Sequence, residues 1–302
     1  MFFMDAEIEL KPKNQVYLDA LDTYVLEAYE MDIPKYDVTT KAFLGRASRQ
    51  VKARIIANEE GVLAGIQEAE WFLKEVGIEM VKTKKDGVFI KRGDVVMEIS
   101  AQAARILGAE RTLLNLIQRM SGVATKTKKL VTKLPKSIRL LATRKTLWGL
   151  LDKRAVVVGG GGTHRLSLTD AILIKENHIA LTKNFKKSLK SALKKINEVR
   201  FVEVELETME QVEEFLEVYR KVKKVVKGQE EVVVLLDNFT PAQIKKVIKP
   251  LKESGVHVEL SGGITEKNIS RYNIGGVSAI SSGAITTQAH NLDMSLVMVT
   301  AK

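Results

Sequence analysis

Cysteine is missing from the 302-residue chain. No disulfide, thiolate metal site or cysteine nucleophile can be built from it, and the absence fits the cytoplasm. Histidine is scarce, at four residues. No set of histidines or carboxylates has zinc spacing and no nucleophile elbow occurs, so metal-assisted hydrolysis and acyl transfer find little support. Aromatic residues make up 6% and do not interleave with the basic runs, which argues against a stacking platform for single-stranded nucleic acid. No apolar run reaches transmembrane length. The opening MFFMDAEIEL meets acidic residues after four positions, so the apolar region of a signal peptide is not expected.

What is present suits a globular protein. Hydrophobic residues make up 45% and charged residues 28%, enough apolar material for one large or two moderate domains. The net charge is +11 and the pI about 9.5. That balance invites a nucleic-acid reading, yet many lysines fall in helix-like segments such as FKKSLKSALKKI (185–196), where they form a solvated face. Abundant Lys and Glu without Cys also fit a heat-adapted source.

The N-terminal third reads as α+β. NQVYLDALDTYVLEAYEMDI has helical spacing, and a turn at Pro34 leads to Asp37, Thr39 and Thr40. QVKARIIA reads as a strand that GVLAGI continues. QEAEWFLKEVG reads as a helix ended by Gly77, and DGVFIKRGDVVMEIS as paired strands around a tight turn. A long amphipathic helix is expected over 103–134, with Gly122 as a break or a close packing point. The expected division is a sandwich domain at 1–119, possibly joined by 289–302, and a barrel domain at 120–288.

From Ile138 the pattern changes to short apolar runs alternating with helices: IRLLATRK, AVVVGGGG, AILIKEN, FVEVELE, EVVVLLDN, VHVELSGG and VSAISSG. Thr208 with Gln211 reads as a capping box, and Thr240 with Pro241 as an N-cap followed by proline at the first helical position. Parallel βα units follow, and about seven strands suggest a barrel whose functional groups sit at the carboxyl ends of strands. That rule nominates Arg144, Lys145, Lys175, Glu205, Asp237 and Ser261 for one rim. Cations beside glycines suit an anionic ligand. Glu205 and Asp237 end separate strands and could share Mg2+; the alternative, that Glu203, Glu205 and Glu207 are one exposed face of an edge strand, is opposed by a barrel strand's inward face lining the site. The small residues of ELSGGI and AISSGAIT offer a phosphate cradle. The four glycines at 159–162 are no P-loop, because no Gly-Lys-Ser/Thr follows; they could let the chain approach a ligand while aiming His164 and Arg165. His178 reads as structural.

DVTT, ERTLLNLIQRMSGVAT, TRKT, GGGGTHR, LIKENHI, VEVELE, LLDNF, ELSGG and ISSGAIT, in that order, resemble blocks of the quinolinate phosphoribosyltransferases, the carboxylating nicotinate-nucleotide pyrophosphorylases. The resemblance implies a mixed α/β fold, an N-terminal open α/β sandwich plus an incomplete seven-stranded α/β barrel related to the TIM barrel. It implies transfer of phosphoribose from PRPP to quinolinate with loss of CO2, giving nicotinate mononucleotide for NAD biosynthesis, with Mg2+ as cofactor. Lys145, Lys175, Glu205 and Asp237 would be catalytic, with Glu205 and Asp237 at the metal. Arg144, His164, Arg165 and Lys175 would hold quinolinate with Arg111 of a partner subunit, in a homodimer with shared sites. Ser261, Gly262, Gly263, Ser282 and Gly283 would hold the 5′-phosphate. Ala142, Thr163, Glu176, Thr287 and Gln288 depart from the family pattern, the last two beside the phosphate loop. A nicotinate-using paralogue and a basic nucleic-acid-binding protein on the same fold remain the alternatives.

Overall fold

The computed structural model describes residues 4–45, 49–223 and 231–299. They form two compact units, each assembled from separate stretches of the chain.

One unit takes in residues 7–128, 146–160 and 286–299. Its strands β1 (Gln50–Ala57), β3 (Glu79–Thr83) and β5 (Val95–Gln102) join antiparallel with Met294–Val299, which lies beside β1 on the far edge from β3. Between them, β2 (Gly61–Val62) pairs with β4 (Phe89–Ile90). GVLAGI is therefore a strand only at its start, because a helix begins at Ile66 after the left-handed Gly65. The expected pairing within DGVFIKRGDVVMEIS is also corrected, since β4 and β5 bond to different partners.

The N-terminal helical stretch runs from Gln15 to Asp32 with a π segment at Asp22–Leu26. Asp37 caps the next helix by accepting the Thr39 and Thr40 amides. The helix Ala103–Val131 continues unbroken through Gly122. A Cβ there would lie 1.9 Å from the His290 carbonyl oxygen, so this glycine marks a close backbone approach.

The other unit holds residues 4–6, 129–145 and the described part of 161–285. Strands β6 (Arg139–Leu141), β7 (Ile172–Ile174), β8 (Val202–Leu206), β9 (Val232–Asp237), β10 (His257–Ser261) and β11 (Ala279–Ser281) form a parallel sheet in the order β6-β11-β10-β9-β8-β7. Fully buried runs such as Val232–Leu236 suit strands covered on both faces. Both capping boxes form, at Thr208/Gln211 and Thr240/Gln243, and Pro241 opens its helix. The expected helix over 208–226 is seen to Val222; residues 224–226 lie outside the described residues.

AVVVGGGG is not a strand. Its valines end the helix Gly149–Val158, whose Asp152 accepts the Leu147 and Trp148 amides and pairs with Arg119. Four apolar residues in a row suit a buried helical turn as well as a buried strand. The barrel is accordingly an open six-stranded sheet. At the seventh position Gly162 alone bridges Leu141 in parallel.

Candidate active site

The parallel sheet carries its polar groups at the carboxyl ends of its strands. Past β6 come Arg144 and Lys145, both exposed. The Lys145 amide is held by Thr143 Oγ1 at 3.1 Å, and its side chain lies along Gly283, where an added Cβ would meet Lys145 Cδ at 3.1 Å. Arg165 is half-buried. Desolvation, and then the nearby Arg144 charge, push its pKa below the usual value. The negative charges of Glu203 and Asp170 act on Arg165 in the opposite sense, although among the described residues no ion pair is formed by Arg144 or Arg165.

Past β7, Lys175 Nζ lies 2.5 Å from Glu205 Oε2 at the end of β8. Glu205 is buried; desolvation raises its pKa, while Lys175 pulls it back and Asp237 adds to the rise. The Lys175 amide is bonded to His178 Nδ1 at 3.1 Å, so His178 fixes this loop, as expected. Asp237 ends β9 in register with Ser261 on β10, and its Oδ2 accepts Asn238 Nδ2 at 2.7 Å. Gly262 has φ 94°, and its missing Cβ leaves room for Asn238, while the space beside Gly263 is open. Ser282 is buried and donates to the Ile264 carbonyl at 2.6 Å, tying the two small-residue loops together. For a metal, carboxylate oxygens of Glu176, Glu205 and Glu207 lie within 4.8 Å of one another. Carboxylate oxygens of this kind are the ligands a hard divalent cation takes.

His164 is buried, with φ 55°, at the end of the glycine run. Its Nε2 lies 2.9 Å from Glu203 Oε2 and 3.6 Å from Glu259 Oε2. Both glutamates are wholly buried, and desolvation pushes both carboxyls up to about 8. On the other side of the ring, Nδ1 accepts the Arg165 amide at 2.7 Å. With Nδ1 engaged by that amide, Nε2 is the ring nitrogen that faces the two glutamates. Thr163, wholly buried, accepts the Ala6 amide at 2.8 Å, and Asp5 accepts the Thr163 amide at 3.0 Å. Beyond Arg165, Asp170 accepts the Leu166 amide and pairs with Arg200, whose Nη2 donates to the His164 carbonyl at 3.2 Å.

Glu203, Glu259, Asp170 and Arg200 were not among the residues the sequence nominated. For the two glutamates the available signal was their place within short β-rich runs, VEVEL and HVELS, each flanked by apolar neighbours. A charge rarely occupies such a position without a function or a partner. The edge-strand reading of the glutamates is overturned: β8 is an inner strand, with Glu203 and Glu205 buried and only Glu207 exposed.

Arg111 belongs to the other unit. It is exposed on the helix Ala103–Val131 and lines a cavity of about 390 Å³ with Tyr24, Asp32, Asn115 and Trp148.

Cations, carboxylates and glycine turns at the carboxyl ends of parallel strands define an α/β enzyme for small anionic substrates. Two family models cover most of the chain: the quinolinate phosphoribosyl transferase N-terminal domain matches residues 37–121, and its C-terminal domain matches residues 123–297. The chain belongs to the quinolinate phosphoribosyl transferase family. It is 37% identical over 281 residues to the probable carboxylating nicotinate-nucleotide pyrophosphorylase of Methanothermobacter thermautotrophicus, covering 90% of this chain and 96% of that one. It is 36% identical to the Bacillus subtilis protein of the same name, covering 88% and 89%. The nicotinate-nucleotide pyrophosphorylase structure from Francisella tularensis superposes with a TM-score of 0.80 at 32% identity, covering 93% of this chain and 96% of that one.

Proposed function

We propose that this chain transfers phosphoribose from PRPP to quinolinate and decarboxylates the product, giving nicotinate mononucleotide, pyrophosphate and CO2 for NAD biosynthesis. It is a pentosyltransferase by family. The choice of acceptor is supported by the set of cations past β6 and β7, Arg144, Arg165 and Lys175, of which Arg144 and Arg165 form no ion pair among the described residues. A dicarboxylate such as quinolinate supplies the two negative charges these two guanidiniums call for. Lys175 adds a third cation, and nicotinate, with one carboxylate, leaves the set overcharged.

In this reading Lys145 and the loops at Ser261–Gly263 and Ser282–Gly283 hold the phosphates of PRPP. Glu205 and Asp237 face the ribose and would hold Mg2+, which offsets the charge of the departing pyrophosphate when bound. As the bond from ribose C1 to pyrophosphate breaks, the electron pair leaves with pyrophosphate, and these carboxylates stabilise the positive charge developing at C1. The quinolinate nitrogen attacks C1. Its ring then accepts the electrons released when the C2 carboxylate departs as CO2, and C2 takes a proton from water. Positioning by fixed charges supplies most of the catalysis. A homodimer in the cytoplasm, with Arg111 reaching the partner's site, completes the proposal.

The test is one assay with protein, Mg2+, PRPP and quinolinate, following nicotinate mononucleotide and labelled CO2 together. Both products should appear in step, and Arg144→Ala should abolish them while the protein stays folded. Product from nicotinate but none from quinolinate would transfer the chain to the non-decarboxylating class. Salt-sensitive RNA or DNA binding, indifferent to Arg144→Ala and without turnover, would favour the nucleic-acid reading.

A further inference from the structure

The ring of His164 has no nitrogen left for a substrate. Nδ1 accepts the Arg165 backbone amide at 2.7 Å, and Nε2 faces the buried carboxylates of Glu203 and Glu259 at 2.9 and 3.6 Å. Phe201 stands edge-on to the ring at 5.4 Å between centroids, and the side chain is 7% exposed. The ring therefore points inward, below the strand ends that carry Lys175, Glu205 and Asp237.

We infer that His164 is a positioning residue and not a quinolinate ligand: its Nε2 is buried against Glu203 and Glu259, and its Nδ1 fixes the backbone from which Arg165 reaches the substrate. The same device recurs one strand further on, where His178 Nδ1 accepts the amide of Lys175. In both places a histidine nitrogen holds the main chain of a cation at the rim. At His164 the need is greater, because φ is 55°, a conformation costly for most side chains. The bond to Nδ1, the Arg200 bond to the His164 carbonyl and the Asp5 bond to the Thr163 amide together hold that conformation. Glu203 and Glu259 enter the inference only as the buried groups against which Nε2 lies.

The inference rests on the reading of Arg165 as a clamp for quinolinate, and the test separates the two. Asn places its side-chain oxygen where Nδ1 stands and tolerates positive φ, Gln places its oxygen nearer Nε2, and Gly tolerates the backbone but offers no acceptor. His164→Gly should raise the KM for quinolinate at least tenfold while that for PRPP changes little. His164→Asn should recover most of that loss, and His164→Gln should not. Recovery by Gln and not by Asn would overturn the inference and return Nε2 to the substrate. Recovery by neither, in folded protein, would overturn it too. Should the His164 variants fail to fold, Glu203→Gln and Glu203→Leu decide. Gln keeps the shape and polarity of the group beside Nε2, so it should disturb the quinolinate KM several-fold less than Leu, and equal effects would count against a role for this contact in placing the ring. Arg165→Lys serves as the reference: an unchanged quinolinate KM there would remove the clamp reading itself, whatever the histidine variants do.

Discussion

Lys175 neutralises Glu205 in the free protein, and the proposed function gives it a second demand, a substrate carboxylate in the complex. Its ammonium lies 2.5 Å from a buried carboxylate, so truncation leaves that charge unpaired and weakens the substrate's hold. Lys175→Ala should cost about 2–5 kcal/mol of binding, roughly thirtyfold or more in kcat/KM for quinolinate. Steady-state kinetics on protein with native circular dichroism check this, and normal turnover would place the site elsewhere. A second residue-scale prediction concerns Glu68, buried against Tyr17 at 2.8 Å and Arg154 at 3.7 Å. Desolvation, helped by Asp86, raises its carboxyl from 4.5 to about 7. The folded state therefore keeps this proton longer than the unfolded chain does, and stability falls as pH rises from about 4.5 to 7, by about 3 kcal/mol for this group. Glu203 and Glu259 add to the slope in the same sense. Glu68→Gln should flatten the loss of denaturation midpoint between pH 5 and pH 7, and an unaltered slope would assign the pH dependence to other groups. The nominated cations and carboxylates were legible in the sequence because each follows a short apolar run, and the end of a parallel strand is where a site forms. The anchors beneath them were not. Alternation makes Glu203, Glu205 and Glu207 equivalent, and only the sheet distinguishes the two that are buried from the one that is exposed.

At the scale of elements, glycines mark where backbones meet. Gly122 sits inside an uninterrupted helix, where alanine would ordinarily gain about 1 kcal/mol. Here a Cβ would lie 1.9 Å from the His290 carbonyl oxygen and 3.1 Å from Asn291 Cα. Backbone cannot step aside as a long side chain can, so Gly122→Ala should destabilise the protein by roughly 1–3 kcal/mol. A denaturant midpoint shifted to lower concentration with an unchanged m-value would report it; a stabilised variant would mean that the 286–299 segment yields freely. The sequence identified this glycine as a break or a contact, and helical spacing alone could not choose. The same ambiguity explains the one strand misplaced in the parallel sheet. AVVV fits either period over four residues, and what makes it helical is tertiary: Asp152 caps the turn before it and meets Arg119 through two bonds of 2.9 and 2.8 Å. By contrast, Thr208/Gln211 and Thr240/Gln243 were readable because a capping box is local chemistry, complete within four residues.

At the scale of the whole molecule, Arg111 belongs to the unit that does not carry the parallel sheet, where it is exposed and lines a cavity. If Arg111 of one subunit serves the sheet of its partner, the two halves of a site can be damaged separately and then recombined. Arg111→Ala subunits retain an intact rim, and Lys175→Ala subunits retain an intact Arg111. Each homodimer is then defective at both sites. Random exchange of an equal mixture makes half of the dimers mixed, and in each mixed dimer one site receives both good residues while the other receives neither. Activity should recover to about a quarter of the unaltered enzyme's. Native mass spectrometry can establish that the mixed dimers have formed. No recovery after proven exchange would assign Arg111 to its own subunit's site or to none, whereas recovery without exchange would exclude the pairing on which the argument depends. The fraction discriminates because an Arg111 acting within its own chain predicts none: each subunit would then carry its own lesion, and no mixing could repair it.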